Sequence, residues 1–236
     1  MQKLMSRMRA AMEKYEMISD GDRIAVGLSG GKDSVALLAA LAEMRRFYPA
    51  KYEVIAVTVD MRFDNKDTDY SVLEEFCKSI DVPFVIKRTQ LADIIFNIRK
   101  ESNPCSLCAK MRRGILHDAA IENGCNKVAL GHHMDDAVET FFMNLLKGGN
   151  ISSFFPVTYM SRKDIHIIRP MVLSSESLVA GAVKHCNLPV VKSKCPMDNT
   201  SERQKTKDLV NSLNKEYPQL REKVIGALQR KGIDNW

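Results

Sequence analysis

The sequence predicts an α/β protein with a doubly wound parallel sheet and a helical C-terminal extension. Strand-like and helical segments alternate over most of the chain, a pattern typical of this architecture. A glycine-rich loop also follows the first apolar strand, at the kind of turn where open α/β sheets bind ligands. With 236 residues and 45% hydrophobic content, the chain can bury one large core. We expect an N-terminal helix in residues 1–20, the α/β domain in residues 21–170 and the extension in residues 171–236.

Four apolar runs rich in β-branched residues predict buried strands that end at the same edge of the sheet. They are residues 23–28, 52–59, 83–87 and 127–131. Helical periodicity lies between them at residues 35–41, 71–80 and 109–116. Past Pro156 the pattern loosens, with a loop at residues 152–164, an apolar segment at 165–170 and helices after Ser174, Thr200 and Pro218.

The loop after the first strand has a composition suited to phosphate. It consists of Ser29, Gly30, Gly31, Lys32, Asp33 and Ser34. Glycines let the backbone approach an anion closely, the N–H groups at a helix start point toward it, and lysine adds a positive charge. The loop is not a Walker A motif, because Val26 and Asp33 stand where that motif needs Gly and Ser or Thr. It is instead similar to the PP-loop of the ATP pyrophosphatase superfamily, which holds the pyrophosphate end of ATP.

Two cysteines three residues apart, Cys105 and Cys108, stand at the start of a helical stretch. Such a pair can hold a metal, ligate an iron–sulfur cluster or act as a redox dithiol. Cys195 lies in a loop before the last helices and is a candidate third ligand. Three thiolates would leave one iron of a four-iron cluster open, and an open iron could hold sulfide. The other cysteines, Cys77, Cys125 and Cys186, are predicted to be small core residues.

The segment from Gly131 to Asp136 ends the fourth strand and begins a helix. Its paired carboxylates, Asp135 and Asp136, could bind magnesium, cap the helix or orient substrate. We interpret His132 and His133 as a polar wall of the site, because consecutive residues at a strand end point apart.

Together these motifs resemble the tRNA 2-thiocytidine synthetase family of the PP-loop superfamily, over residues 21–217. The resemblance rests on Ser29 to Ser34, Cys105 to Cys108, Arg112 to Leu116, Gly131 to Asp136 and Ile168 to Pro170. It implies an adenine nucleotide alpha hydrolase-like fold and an enzyme that uses ATP to replace an oxygen of a tRNA cytidine with sulfur. It also implies a 4Fe-4S cluster held by Cys105, Cys108 and Cys195.

The residue chemistry and this resemblance assign roles within one ATP site. Lys32 and the amides of Gly30 and Gly31 would hold pyrophosphate as the cytosine oxygen attacks the α-phosphate. Hydrogen bonds would come from Ser29 and Ser34, and Asp33 would position Mg²⁺ or the loop itself. The remaining expected ATP contacts are Val59, Arg112, Gly131 and Asp136. The expected catalytic residues are Lys32, Asp33, Cys105, Cys108 and Cys195.

Charge and composition restrict the possible partners and location of the protein. Residues 184–236 hold 11 Lys and Arg against 6 Asp and Glu, which accounts for most of the net charge of +6. This suits RNA, although a solvated basic helix face also explains it. The chain lacks a run of roughly 18 apolar residues, so we expect no membrane association and a cytoplasmic location. A cysteine desulfurase or free sulfide would donate the sulfur. An amphipathic N-terminal face would pack on its own domain or in a homodimer.

Two other functions are compatible with the motifs. A ligase resembling lysidine synthetase would share the PP-loop and would need no set of three cysteines. A nucleotide-binding module without catalysis would use Cys105 and Cys108 to hold zinc or to cycle between dithiol and disulfide.

Overall fold

The computed structural model describes residues 1–99, 104–192, 195 and 202–236. Its helices are α1 (Gln2–Lys14), α2 (Lys32–Met44), α3 (Ser71–Ser79), α4 (Pro104–Glu122), α5 (Met134–Gly148), α6 (Glu176–His185), α7 (Glu202–Glu216) and α8 (Leu220–Lys231). Its strands are β1 (Asp22–Gly27), β2 (Tyr52–Asp60), β3 (Phe84–Arg88), β4 (Lys127–Ala129), β5 (Val157–Met160) and β6 (Ile165–Ile168). A π-helical turn covers Asp93–Ile98, and short 3-10 turns cover Phe63–Asn65 and Ile233–Asn235.

The six strands form one sheet in the order β3-β2-β1-β4-β6-β5. The pairs among β1, β2, β3 and β4 are parallel, as predicted. The apolar segment at residues 165–170 forms β6, which pairs parallel with β4, and β5 pairs antiparallel with β6 at the edge. The prediction of a loop over residues 152–164 is therefore wrong at β5. This strand is short and half-buried to exposed, so its sequence lacks the apolar run that marks the central strands.

Helices cover both faces of the sheet, which confirms the doubly wound fold. In β1, Ile24 and Val26 pack in the layer that includes α1, α2 and α6, whereas Ala25 packs with Leu116 of α4 on the other face. Successive side chains of a strand point to opposite faces, so a strand buried on both sides is apolar throughout.

The N-terminal helix and the extension share the main core with the sheet. Leu4 and Met8 of α1 are fully buried, and Val210 of α7, Leu228 of α8 and Trp236 join the same cluster. The apolar face of α1 is thus covered by its own chain, and a homodimer would use another surface. The three-part division of the chain stays a prediction. Within the described residues, we find no helix with the length and apolar character that a bilayer crossing requires.

The order of the strands places a crevice between two loops. From β1 the chain moves to β2 and β3 on one side, then returns to β4 on the other side of β1. Loops at such a switch point diverge, and ligands of open α/β sheets bind between them. The loop of residues 29–31, with the start of α2, follows β1, and residues 130–133, with the start of α5, follow β4. Two of the three motifs singled out from the sequence, the phosphate loop and the segment from Gly131 to Asp136, therefore lie at this switch point.

Candidate active site

The loop after β1 is held in shape by its own hydrogen bonds. Gly30 has φ +84°, a conformation that glycine adopts without strain. The Ser34 hydroxyl donates to the Gly31 carbonyl at 2.9 Å and accepts from the Ser29 amide at 3.2 Å. Gly31 precedes α2 and has no side chain that could cap it. The first N–H groups of α2 are therefore available to an anion.

The loop after β4 lies directly against this loop. A Cβ atom at Gly131 would stand 3.1 Å from the carbonyl carbon of Asp33 and 3.2 Å from the amide nitrogen of Ser34. Such distances are shorter than ordinary van der Waals contacts to backbone. Only glycine therefore fits at position 131 without moving the phosphate loop.

A reciprocal cap begins α5. The His133 amide donates to the Asp136 carboxylate at 2.9 Å, and the Asp136 amide donates to His133 Nδ1 at 3.4 Å. The His133 Nε2 atom lies 3.8 Å from the Asp33 carboxylate. Of the roles considered for Asp136, capping is therefore present in the structure, and His133 connects α5 to the phosphate loop.

Asp135 has a different environment from its neighbour. It is buried, and its carboxylate accepts from the Glu176 amide at 2.7 Å and pairs with Arg221 Nε at 2.6 Å. Asp135 thus ties α5 to the first turn of α6 and to α8.

His132 is part of a packed aromatic group. Burial, with the nearby Arg169 and Arg203 charges, lowers the pKa of His132 to about 4, so the ring is neutral at pH 7. Its ring lies 5.1 Å from that of Phe154, and the Arg169 guanidinium lies 5.0 Å from the same ring. The two histidines therefore belong to different environments.

The lysine of the phosphate loop is shared between two carboxylates. Lys32 Nζ lies 2.8 and 2.9 Å from the Asp33 oxygens and 3.1 Å from Glu176 Oε1. Burial opposes its charge, yet the hydrogen bonds that Lys32 donates to Asp33 and Glu176 raise the pKa of Lys32. Burial likewise disfavours the Glu176 carboxylate, yet hydrogen bonds from Lys207 and Lys32 lower its pKa to about 2. Lys32 and Glu176 are therefore both charged at pH 7.

Two basic residues of α7 pair with carboxylates of α5 and α6, and the sequence analysis did not predict these contacts. Arg203 pairs with Asp136 at 3.0 Å and donates to the Thr140 hydroxyl at 3.3 Å. Lys207 contacts both oxygens of Glu176. Part of the positive charge of the C-terminal segment thus faces protein carboxylates. The i to i+4 spacing of Arg203 and Lys207 on one helix face was the available signal.

A buried carboxyl group lies beside these ion pairs. Glu139 of α5 is 3% exposed. Burial, followed by the Asp136 charge, raises the pKa of Glu139 to about 7. The group therefore changes its protonation near neutral pH.

The three candidate cluster cysteines lie in one neighbourhood. Cys105 is exposed, Cys108 is buried and Cys195 is half-buried. Burial raises the pKa of the Cys108 thiol, the charge of Arg112 lowers it, and Cys195 and Cys105 raise it. The Cys108 thiol is therefore within electrostatic reach of both other cysteines and of Arg112. Within the described ranges, we find no three Cys, His, Asp or Glu side chains already arranged as a metal site.

The chain before Cys195 rests on the phosphate loop. The Val191 amide donates to the Gly30 carbonyl at 2.9 Å, and a Cβ atom at Gly30 would stand 3.0 Å from Val191 Cβ. Val191, four residues before Cys195, therefore contacts the phosphate loop, and Cys108 lies in the same apolar cluster as Met61, which follows β2. Val59 is half-buried near the end of β2, at the same edge of the sheet.

The remaining cysteines are structural. Cys77 and Cys125 are buried, as predicted, and none of the six cysteines, all within the described residues, forms a disulfide. The prediction is wrong for Cys186, which is half-buried at the end of α6 and lies 3.7 Å from the N-terminal nitrogen.

A parallel sheet with this phosphate loop at its switch point defines a PP-loop ATP-binding protein. The chain matches the family model described as a PP-loop domain over residues 2–211. Similar curated proteins are named tRNA-cytidine(32) 2-sulfurtransferase. That of Syntrophotalea carbinolica is 41% identical over 92% of this chain and 85% of its own length. That of Geobacter sulfurreducens is 36% identical over 96% and 88%. The chain belongs to this tRNA-cytidine(32) 2-sulfurtransferase family, which confirms the resemblance found in the sequence.

Solved structures agree with the fold. The U34-tRNA thiolase NcsA from Methanococcus maripaludis, with its 4Fe-4S cluster, has a TM-score of 0.78 and 25% identity, covering 96% of this chain and 77% of that one. An NH₃-dependent NAD synthetase from Campylobacter jejuni has a TM-score of 0.51 and 19% identity, over 100% and 96% of the two chains. The second likeness concerns the fold alone.

Proposed function

We propose that this protein is an ATP-dependent tRNA sulfurtransferase that converts cytidine 32 to 2-thiocytidine. The observation that supports the proposal is the contact of Val191, four residues before Cys195, with Gly30 of the phosphate loop, while Cys195 is itself within electrostatic reach of Cys108. The names of the curated relatives supply the nucleotide and its position.

The phosphate loop would promote adenylation. The C2 oxygen of cytosine attacks the α-phosphorus of ATP, and the bond to pyrophosphate breaks. Lys32, the Gly30 and Gly31 amides and the start of α2 are suited to hold the departing charge, because preorganised donors need little rearrangement during reaction. The hydroxyls of Ser29 and Ser34 keep the loop in shape.

Four further residues complete the ATP contacts in this proposal. Asp33 would take Mg²⁺, which carboxylate oxygens suit. Asp136 would contact ATP or its metal from α5, and Gly131 lets the backbone approach the loop. Val59 would face the nucleotide from the end of β2. Adenylation turns the oxygen into a leaving group that departs with AMP.

The thiol side would hold the sulfur-transfer group. Cys105, Cys108 and Cys195 fit a 4Fe-4S cluster as a donor set, because such clusters are held by thiolates and Cys108 interacts with both other cysteines. When bound, the cluster would supply an iron without a protein ligand, at which sulfide can be held. The charge of Arg112 favours the thiolate of Cys108 and would attract a phosphate to this side of the crevice.

The test uses protein purified without oxygen and analysed for iron and sulfide. It is incubated with ATP, Mg²⁺, sulfide and a tRNA that carries cytidine 32, and nucleosides are identified by mass spectrometry. We expect 2-thiocytidine, AMP and pyrophosphate, and no thiolation of a tRNA with uridine at position 32. Pyrophosphate release by iron-loaded protein without a thiolated nucleoside would favour a ligase instead. Zinc without iron or turnover would favour the binding module.

The proposal also covers location and partners. Six cysteines without a disulfide fit a reducing compartment such as the cytoplasm. Exposed Cys105 is accessible to a cysteine desulfurase or to free sulfide as the sulfur donor. A homodimer would have to use a surface other than α1, and light scattering of the full chain would detect it.

A further inference from the structure

Glu176 lies between two lysines that come from different helices. Its carboxylate is contacted by Lys32, the first residue of α2, and by Lys207 of α7. Lys207 is 2.8 Å from Oε1 and 2.7 Å from Oε2, whereas Lys32 is 3.1 Å from Oε1 alone. The carboxylate is therefore bound more closely by Lys207 than by Lys32.

The backbone of Glu176 is fixed at this point. It is the first residue of α6, and its amide donates to the Asp135 carboxylate. The preceding Ser175 caps the helix by accepting from the Leu178 amide. Because the backbone is held on both sides, Glu176 remains beside the phosphate loop. How strongly Glu176 attracts Lys32 then depends on whether its carboxylate also binds Lys207.

Lys32, Glu176 and Lys207 are buried enough for the competition of the two lysines for Glu176 to affect ATP binding. The side chains of Lys32, Glu176 and Lys207 are 34%, 25% and 30% exposed, so water screens them only in part. If the charge of Lys207 is removed, Glu176 keeps Lys32 as its closest cation and the pair tightens. ATP would then compete for Lys32 with a Glu176 carboxylate that is no longer paired with Lys207.

We propose that Lys207 is a positioning residue of the ATP site, which occupies Glu176 and so keeps Lys32 available to the ATP phosphates. The inference rests on the proposed function, since it takes ATP as the ligand of Lys32. Lys207 acts through Glu176 and does not itself bind the nucleotide.

The experiment measures binding of α,β-methylene ATP with Mg²⁺ by calorimetry, because this analogue cannot release pyrophosphate. Lys207→Met keeps the aliphatic chain and removes the charge. We expect about fivefold weaker binding, the size of one partly exposed ion pair, and a rise in KM for ATP with little change in kcat. Lys205→Met is the matched control, since Lys205 lies two residues earlier on α7, is 74% exposed and pairs with Glu202.

The decisive variant is the double substitution Glu176→Gln with Lys207→Met. Without the Glu176 carboxylate, Lys32 keeps Asp33, its wild-type partner, and forms no tighter pair with residue 176, so we expect affinity to return to within about twofold of wild type. An affinity that stays weak would mean that Lys207 contacts ATP directly, and would overturn the inference. Unchanged binding by Lys207→Met, or an equal loss in Lys205→Met, would also overturn it. Failure of the wild type to bind the analogue would instead overturn the proposed function.

Discussion

The phosphate loop and the cysteine neighbourhood, here called the phosphate side and the thiol side, differ in how far their side chains are held in place. On the phosphate side, Ser29 and Ser34 close the loop with hydrogen bonds of 3.2 and 3.1 Å, and Lys32 already has two partners. On the thiol side, the cysteines share a neighbourhood, yet the described residues hold no group arranged as a metal site. The phosphate loop thus has internal hydrogen bonds that fix its shape, whereas the three cysteines share a neighbourhood.

The cause is the distance along the chain between the contributing residues. The phosphate loop is one strand–turn–helix unit, so its shape follows from glycine geometry and the start of α2. The thiols come from α4 and from a segment near residue 195, and a metal group usually completes such a site by binding. We therefore expect a substitution on the thiol side to leave ATP binding intact, and a substitution on the phosphate side to leave the iron content intact.

The largest effect should come from the thiol side. Cys108→Ser removes the central thiol, so we expect iron and sulfide to be lost and thiolation to fall below about one-hundredth of wild type. Binding of the ATP analogue should stay within about twofold, because the phosphate side is preformed. Metal analysis and calorimetry measure the two outcomes. Cys186→Ser, at the end of α6, is the control that should keep its iron.

Lys32→Met tests the other side. We expect pyrophosphate release to fall about 100-fold, the usual cost of removing one donor to a developing charge. Iron content should not change, and Lys205→Met should behave as wild type. Loss of iron in Lys32→Met would show that the two sides are not independent.

Gly131→Ala should have an intermediate effect. The new methyl group would collide with the backbone of Asp33 and Ser34. We expect about tenfold weaker ATP binding and a lower Tm, as overpacking costs about 1–3 kcal/mol. Gly181→Ala is the control, because open space surrounds that position in α6. Equal behaviour of the two variants would contradict the close approach of the loops.

The last prediction concerns stability beside the phosphate loop and not turnover. With a pKa raised to about 7 from the ordinary 4.5, folded Glu139 keeps a proton that the unfolded chain releases. The free energy of unfolding of the wild type should therefore fall as pH rises from about 4.5 to about 7. Glu139→Gln lacks this dependence and should be more stable by about 2–3 kcal/mol at about pH 8 and similar near pH 4.5. Urea unfolding at both pH values measures the difference.

Local features of the molecule were predictable and distant contacts were not. The strands of the sheet and the phosphate loop follow from apolar runs and glycine spacing, and the family resemblance added the cysteine set. The pairing of Asp136 with Arg203 joins residues 67 positions apart, and that of Glu176 with Lys207 joins residues 31 apart. Such pairs depend on how α7 packs on α5 and α6, which no local pattern contains. The edge strand β5 was missed for a related reason, since half-exposed strands lack a strong pattern.

The hydrogen bond between Val191 and Gly30 also sets a length scale. Four chain steps separate Val191 from Cys195, and an extended chain covers at most about 3.6 Å per residue, so the third cysteine is tethered within about 14 Å of that contact. One inserted residue would lengthen the tether by up to about 3.6 Å, more than the length of a metal–sulfur bond. The spacing between Val191 and Cys195 therefore limits how far the third cysteine can lie from the Gly30 carbonyl.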